Sequence, residues 1–159
     1  MTSIESISLQ DARRVIDAGE KRAQELGQPS NIAVVDAGGN LVAHARMDDA
    51  WLGSVDISIN KAFTARAFDI STADLAANAA PGQQFYGISG SNQGRVMIFA
   101  GGLPLHRNGQ VVGAVGVSGG SGDQDQSVAQ AAAAGLYPPA YPARVANRAG
   151  EHRSRAKAA

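Results

Sequence analysis

Apolar positions recur at helical spacing after Ser8, where Leu9, Ala12, Val15, Ile16, Ala23 and Leu26 share one face. Ser8 is placed to cap this helix, and Gly27 and Pro29 stop it. The pattern then changes period. Ile32–Asp36 is a short β-branched run, the stretch Ala37-Gly38-Gly39-Asn40 supplies turn residues, and Leu41–Met47 returns as a second strand. Alternation in that return puts Val42, His44 and Arg46 on one side and Leu41, Ala43, Ala45 and Met47 on the other.

A second helix is predicted from Ser54 to Phe68, with Val55, Ile59, Ala62 and Phe63 as its apolar stripe and Lys61 beside it. Ser71-Thr72-Ala73-Asp74 reads as a cap before a short Ala-rich helix that ends at Pro81-Gly82. The stretch Gln83–Gly94 is rich in Gly, Ser and Asn, a composition that places side chains from loops. Three strands are then expected: Arg95–Phe99, Leu103–Arg107 and Gln110–Ser118, the last two joined by the hairpin turn Asn108-Gly109. After Gly119-Gly120-Ser121-Gly122, a last helix opens at Asp123 and runs to Ala134 before Gly135. The predicted order is αββα(α)βββα: an α/β domain over residues 5–136, with a five-stranded, mainly antiparallel sheet flanked by helices.

Composition narrows the function classes. A chain of 159 residues holds one domain, and with no Cys it has no disulfide, thiolate metal site or thiol nucleophile. Fourteen basic residues balance fourteen acidic ones, which argues against nucleic acid as a partner. The balance is uneven, however. Residues 1–135 carry nine Lys/Arg and thirteen Asp/Glu, whereas the Pro-containing tail, 137–159, holds five basic residues against Glu151. A tail of this kind reads as solvated or docked on a partner. Without a long apolar run or an apolar N-terminus, neither a membrane span nor a secretory signal is expected, so a cytoplasmic protein is the default.

Three ordered segments resemble the GlcG/HbpS family, which also includes the C-terminal domain of PduO proteins. They are Ile32-Ala-Val-Val-Asp-Ala-Gly-Gly-Asn-Leu with Arg46-Met47-Asp48; Lys61-Ala62-Phe63-Thr64-Ala65; and Gly101-Gly102-Leu103-Pro104 through Asn108-Gly109 to Gly113–Gly119. Gln124-Asp125 and the Ala-rich last helix continue the likeness. The resemblance implies a profilin-like fold, a homo-oligomer, and haem or a related tetrapyrrole as the ligand associated with the family.

The residues themselves offer a polar set. Lys61 and Arg95 are cations for a substrate anion, and Asp125 is a carboxylate for proton transfer in a cofactor-free lyase, hydrolase or isomerase. Ser118, Gly119 and Gly120 end a strand and turn into a helix, where free backbone N–H groups attract an anion. Asp123 and Asp125 supply the competing reading, in which helix-capping carboxylates occupy that position. Arg46 is a second carboxylate clamp, and Asn92 lies in the long loop expected to cover the site. His44 and His106 are candidates for haem ligation or general base, each set against an ordinary surface role. No His pair has metal spacing, and Gly116-Val117-Ser118-Gly119-Gly120 matches a nucleophile elbow only in form. The expected ligand is thus small and anionic. Its site lies between the second and last helices, unless the chain is a structural oligomer with a vestigial site.

Overall fold

The computed structural model describes residues 2–137, so the tail from Pro138, with Arg144, Arg148 and His152, lies outside the described residues. Helix α1 spans Leu9–Leu26 and starts in a reciprocal cap: Ser8 accepts from the Asp11 N–H, and the Asp11 carboxylate accepts from the Ser8 N–H. Gly27 ends the helix with left-handed φ, 63°. Strands β1 (Asn31–Asp36) and β2 (Leu41–Arg46) form the first hairpin, followed by α2 (Gly53–Phe68) and α3 (Thr72–Ala79). Strands β3 (Gly102–Arg107) and β4 (Gln110–Ser118) form the second hairpin, and α4 (Gly122–Ala134) follows it. Both turn residues, Asn108 and Gly109, have positive φ, as the expected two-residue turn requires.

The sheet is antiparallel throughout, in the order β2-β1-β4-β3. It has four strands rather than five. Arg95–Phe99 does not pair with any strand, because α2 holds it instead: Thr64 Oγ1, which donates to the Asn60 carbonyl at 2.7 Å, accepts from the Met97 N–H at 2.9 Å and lies 3.3 Å from the Arg95 carbonyl. One hydroxyl thus takes the place of a neighbouring strand, and Val96 is buried as an anchor. The preceding loop, 83–94, contains two single 3₁₀ turns, Ile88–Gly90 and Asn92–Gly94. A second difference arises in β2. A bulge between Val34 and Val35 shifts the register, so Val42 packs with Ala43, Ala45 and Met47 instead of opposite them.

Each sheet face has its own core. Ile32, Val34, Val115 and Val117 pack under α1 and α4, where Val15, Ile16 and Val128 meet them. On the other face Ala33, Val35 and Ala114 meet Ala62 and Ala65 of α2. Helix α2 comes unusually near the sheet at Gly116, where an added Cβ would stand 2.0 Å from the Ser58 carbonyl oxygen and 2.4 Å from the Ala62 nitrogen. That approach sets the site.

Candidate functional site

The antiparallel register brings Asn31, Arg46, Gly102 and Ser118 to one end of the sheet, because Asn31 faces both Arg46 and Ser118. Side chains on a helix lean toward its N-terminus. Lys61, in the middle of α2, therefore reaches back to this end. Its Nζ donates to the Val117 carbonyl at 2.8 Å and to Asp125 Oδ2 at 2.9 Å. Asp125, in the first turn of α4, is held from its other side, since Oδ1 accepts the Gly120 N–H at 2.9 Å.

Space for this pair depends on Gly101. Its φ is +118°, and a Cβ there would stand 2.6 Å from the Val117 carbonyl, 3.0 Å from Asp125 Cβ and 3.2 Å from Lys61 Nζ. The Gly101 N–H donates to Gln126 Oε1, and its carbonyl accepts the Val117 N–H, so the turn is fixed from α4 and β4 together.

Lys61 is only 2% exposed, and Asp125 is also buried. Burial pulls the Lys61 amine below its ordinary range, while the neighbouring carboxylate works in the opposite direction. Burial pushes Asp125 above the usual carboxylate range, against the effects of Lys61 and the loop N–H groups. Desolvation therefore narrows the gap between the charged pair and its neutral form, in which one proton has moved from nitrogen to oxygen.

The pair lies at the bottom of a cleft of about 480 Å³. Trp51, Ser54 and Ile57, from α2 and the segment before it, line the cleft together with Ile98–Ala100 and with Ser118, Gly119, Gly120 and Gly122 of the β4–α4 turn. Trp51 is 70% exposed and Phe99 57%, so both lining aromatics present much of their surface to water.

Of the residues expected from sequence to form the site, Lys61, Asp125, Ser118, Gly119 and Gly120 come together here. The others do not. Arg95 is exposed, its guanidinium lies 3.9 Å from the centre of the Phe63 ring, and its Nε donates to the Asn92 carbonyl. Phe63 packs by Gly39, at the far end of the sheet. Asn92 has an exposed left-handed backbone in the loop, and no residue of 83–95 lines the cleft. His44 Nε2 lies 3.2 Å from Ser58 Oγ, and burial together with Arg46 holds its pKa below the usual value. His106 is exposed beside the second hairpin turn, and its carbonyl accepts from the Tyr137 hydroxyl. Arg46 lies at the right end of the sheet but lines separate depressions with Met47 and Asp48, the larger of them about 480 Å³.

The Gly-rich turn also differs from a free anion nest. Ser121, not Asp123, caps α4, and Asp125 takes the Gly120 donor, so protein carboxylate already stands at this helix start. Trp51, Ile57, Ile98 and Phe99 went unread in the sequence. Trp51 and Phe99 are single aromatics beside Gly-containing breaks, and that is the only sequence signal that marks them.

A family model described as haem degrading protein HbpS-like matches residues 7–134. The chain belongs to the HbpS-like family. It is 45% identical over 129 residues to a 15.0 kDa protein from the dhaT–dhaS intergenic region of Citrobacter freundii, covering 81% of this chain and 91% of that one. The crystal structure of Klebsiella pneumoniae protein ORFY is similar at 43% identity and TM-score 0.83, covering 86% of this chain and 94% of the other. A complex of PduOC with heme is similar at 38% identity and TM-score 0.78, covering 82% and 94%. No helix among the described residues is long and apolar enough to cross a membrane.

Proposed function

We propose that this protein binds a compact, flat small molecule bearing a carboxylate or carbonyl, seated in the cleft with that head toward Lys61. The supporting observation is the single amine–carboxyl pair at the bottom of a depression walled by Trp51, Ile57, Ile98 and Phe99. Apolar walls favour an apolar body at about 25 cal/mol per Å² buried. A polar head entering such a place needs a polar partner, and Lys61 and Asp125 are the charged groups that line it.

Haem, the ligand in the PduOC complex, meets this cleft only in part. Its propionates would suit Lys61, but no lining residue is a His, Met, Tyr or Cys, so the cleft supplies none of the usual axial ligands for iron. His44 and His106 lie outside it. The residues therefore do not fit an iron-ligated haem here.

A catalytic reading has its own support. Burial pushes both members of the pair toward their neutral forms, so a proton can cross the 2.9 Å contact, as lyase or isomerase chemistry requires. Self-association is part of the proposal too, since Trp51, Leu52 and Phe99 leave large apolar surfaces in water.

Trp51 is the sole tryptophan, which makes its fluorescence a direct test. Benzoate or benzaldehyde should quench it saturably, while haem at stoichiometric amounts should give no shifted Soret band. A stoichiometric Soret shift with no Trp51 response to either aromatic would overturn the reading.

A further inference from the structure

We infer that Lys61 is an imine-forming lysine, whose Nζ adds to the carbonyl carbon of an aldehyde or ketone held in the cleft while Asp125 moves the protons. This rests on the reading that the cleft seats such a compound, and it adds what happens to the compound there.

A neutral amine has two N–H bonds and one lone pair. Both contacts of Lys61 Nζ are to oxygens that accept: the Val117 carbonyl at 2.8 Å and Asp125 Oδ2 at 2.9 Å. With Asp125 ionised, these two acceptors match the two N–H bonds of a neutral amine, and its lone pair is left for a carbonyl carbon in the cleft. On one flank the nitrogen is hemmed by Gly101, and it borders the cleft.

Asp125 is equally well placed. The Gly120 N–H holds Oδ1, so the carboxyl cannot turn away and Oδ2 stays against the amine.

The chemistry balances without an oxidant or reductant. The lone pair of Nζ forms a C–N bond as the carbonyl π bond breaks. Asp125 carries one Nζ proton to the developing alkoxide, giving a carbinolamine, and then carries the second Nζ proton to that hydroxyl as the C–O bond breaks. Water then leaves as the C=N bond forms, so amine plus carbonyl gives imine plus water. The resulting imine withdraws electrons from the adjacent carbon and makes its C–H bond easier to break.

The chain contains three lysines, Lys21, Lys61 and Lys157, and the exposed Lys21 serves as an internal standard. The full chain is incubated with benzaldehyde and cyanoborohydride at neutral pH, digested and mapped by mass spectrometry, with Trp51 fluorescence recorded in parallel. The reduced benzyl adduct should fall on Lys61 in about tenfold excess over Lys21, and urea should abolish that preference. If Trp51 responds but Lys61 carries no more adduct than Lys21, the imine inference falls and the binding reading stands. If neither a Trp51 response nor a Lys61 adduct is seen, both fall.

Discussion

The two faces of the sheet are built on different terms. Under α1 and α4 the strands present Ile32, Val34, Val115 and Val117, large β-branched side chains that fill an ordinary apolar core. Under α2 the same strands present Ala33, Ala114 and Gly116, and among the buried side chains that α2 contributes are Ser58, Lys61 and Thr64. Small residues bring the helix backbone down to the sheet, and the room saved is spent on polar side chains that reach specific backbone groups. One face holds the fold together. The other positions an amine against a carboxylate.

The largest effect is expected where a charge loses its partner. Lys61→Met leaves Asp125 buried and uncompensated, and should cost about 3–5 kcal/mol in denaturant unfolding. A loss below about 1 kcal/mol would mean that the pair is solvated in solution.

Gly116→Ala tests the close approach itself. Its Cβ has no room against Ser58 and Ala62, so α2 must shift, at a cost of about 1–3 kcal/mol, and Lys61 should move with it. Quenching of Trp51 by benzoate should weaken in this variant. Undiminished binding and stability would show that α2 is not held against the sheet.

Ile32→Val provides the contrast on the opposite face, with about 0.5–1.5 kcal/mol lost and binding unchanged. Altered benzoate affinity here would mean that the two faces are coupled.

The smallest effect belongs to the start of α1. Burial opposes ionisation of Asp11, but the Ser8 backbone and hydroxyl together with Arg107 outweigh it and lower the pKa from 3.8 to about 2. A carboxylate with a depressed folded pKa stabilises the fold above its unfolded value and loses that contribution as pH falls through its folded value. Stability from this cap should therefore be complete above pH 4 and fade toward pH 2, and Asp11→Asn should flatten that part of the acid titration. An unchanged acid profile in Asp11→Asn would remove the cap from the account.

Much of this architecture was legible in the chain. The stripe after Ser8, the β-branched run at Ile32 and the Asn108-Gly109 turn each encode their element locally, because period and turn chemistry act over a few residues. Arg95–Phe99 was not legible in this way. Val96-Met97-Ile98-Phe99 has strand composition, yet its backbone is claimed by Thr64, thirty-three residues before Met97. That misreading also misplaced Arg95 in the site: without a strand to start, it lies over Phe63. Lys61 and Asp125 stood out individually by type and setting, but their contact spans 64 residues and depends on Gly101 and Gly116 leaving room. Packing of that kind leaves no periodic trace.

The most direct test of the central claim is a ¹⁵N amide titration with benzoate. The account predicts shifts confined to the cleft lining, at Trp51, Ile98–Ala100 and Ser118–Gly122, with Asn92, Arg95 and His106 unmoved. Shifts centred on Arg95 and Phe63, or none in the cleft at saturation, would contradict it.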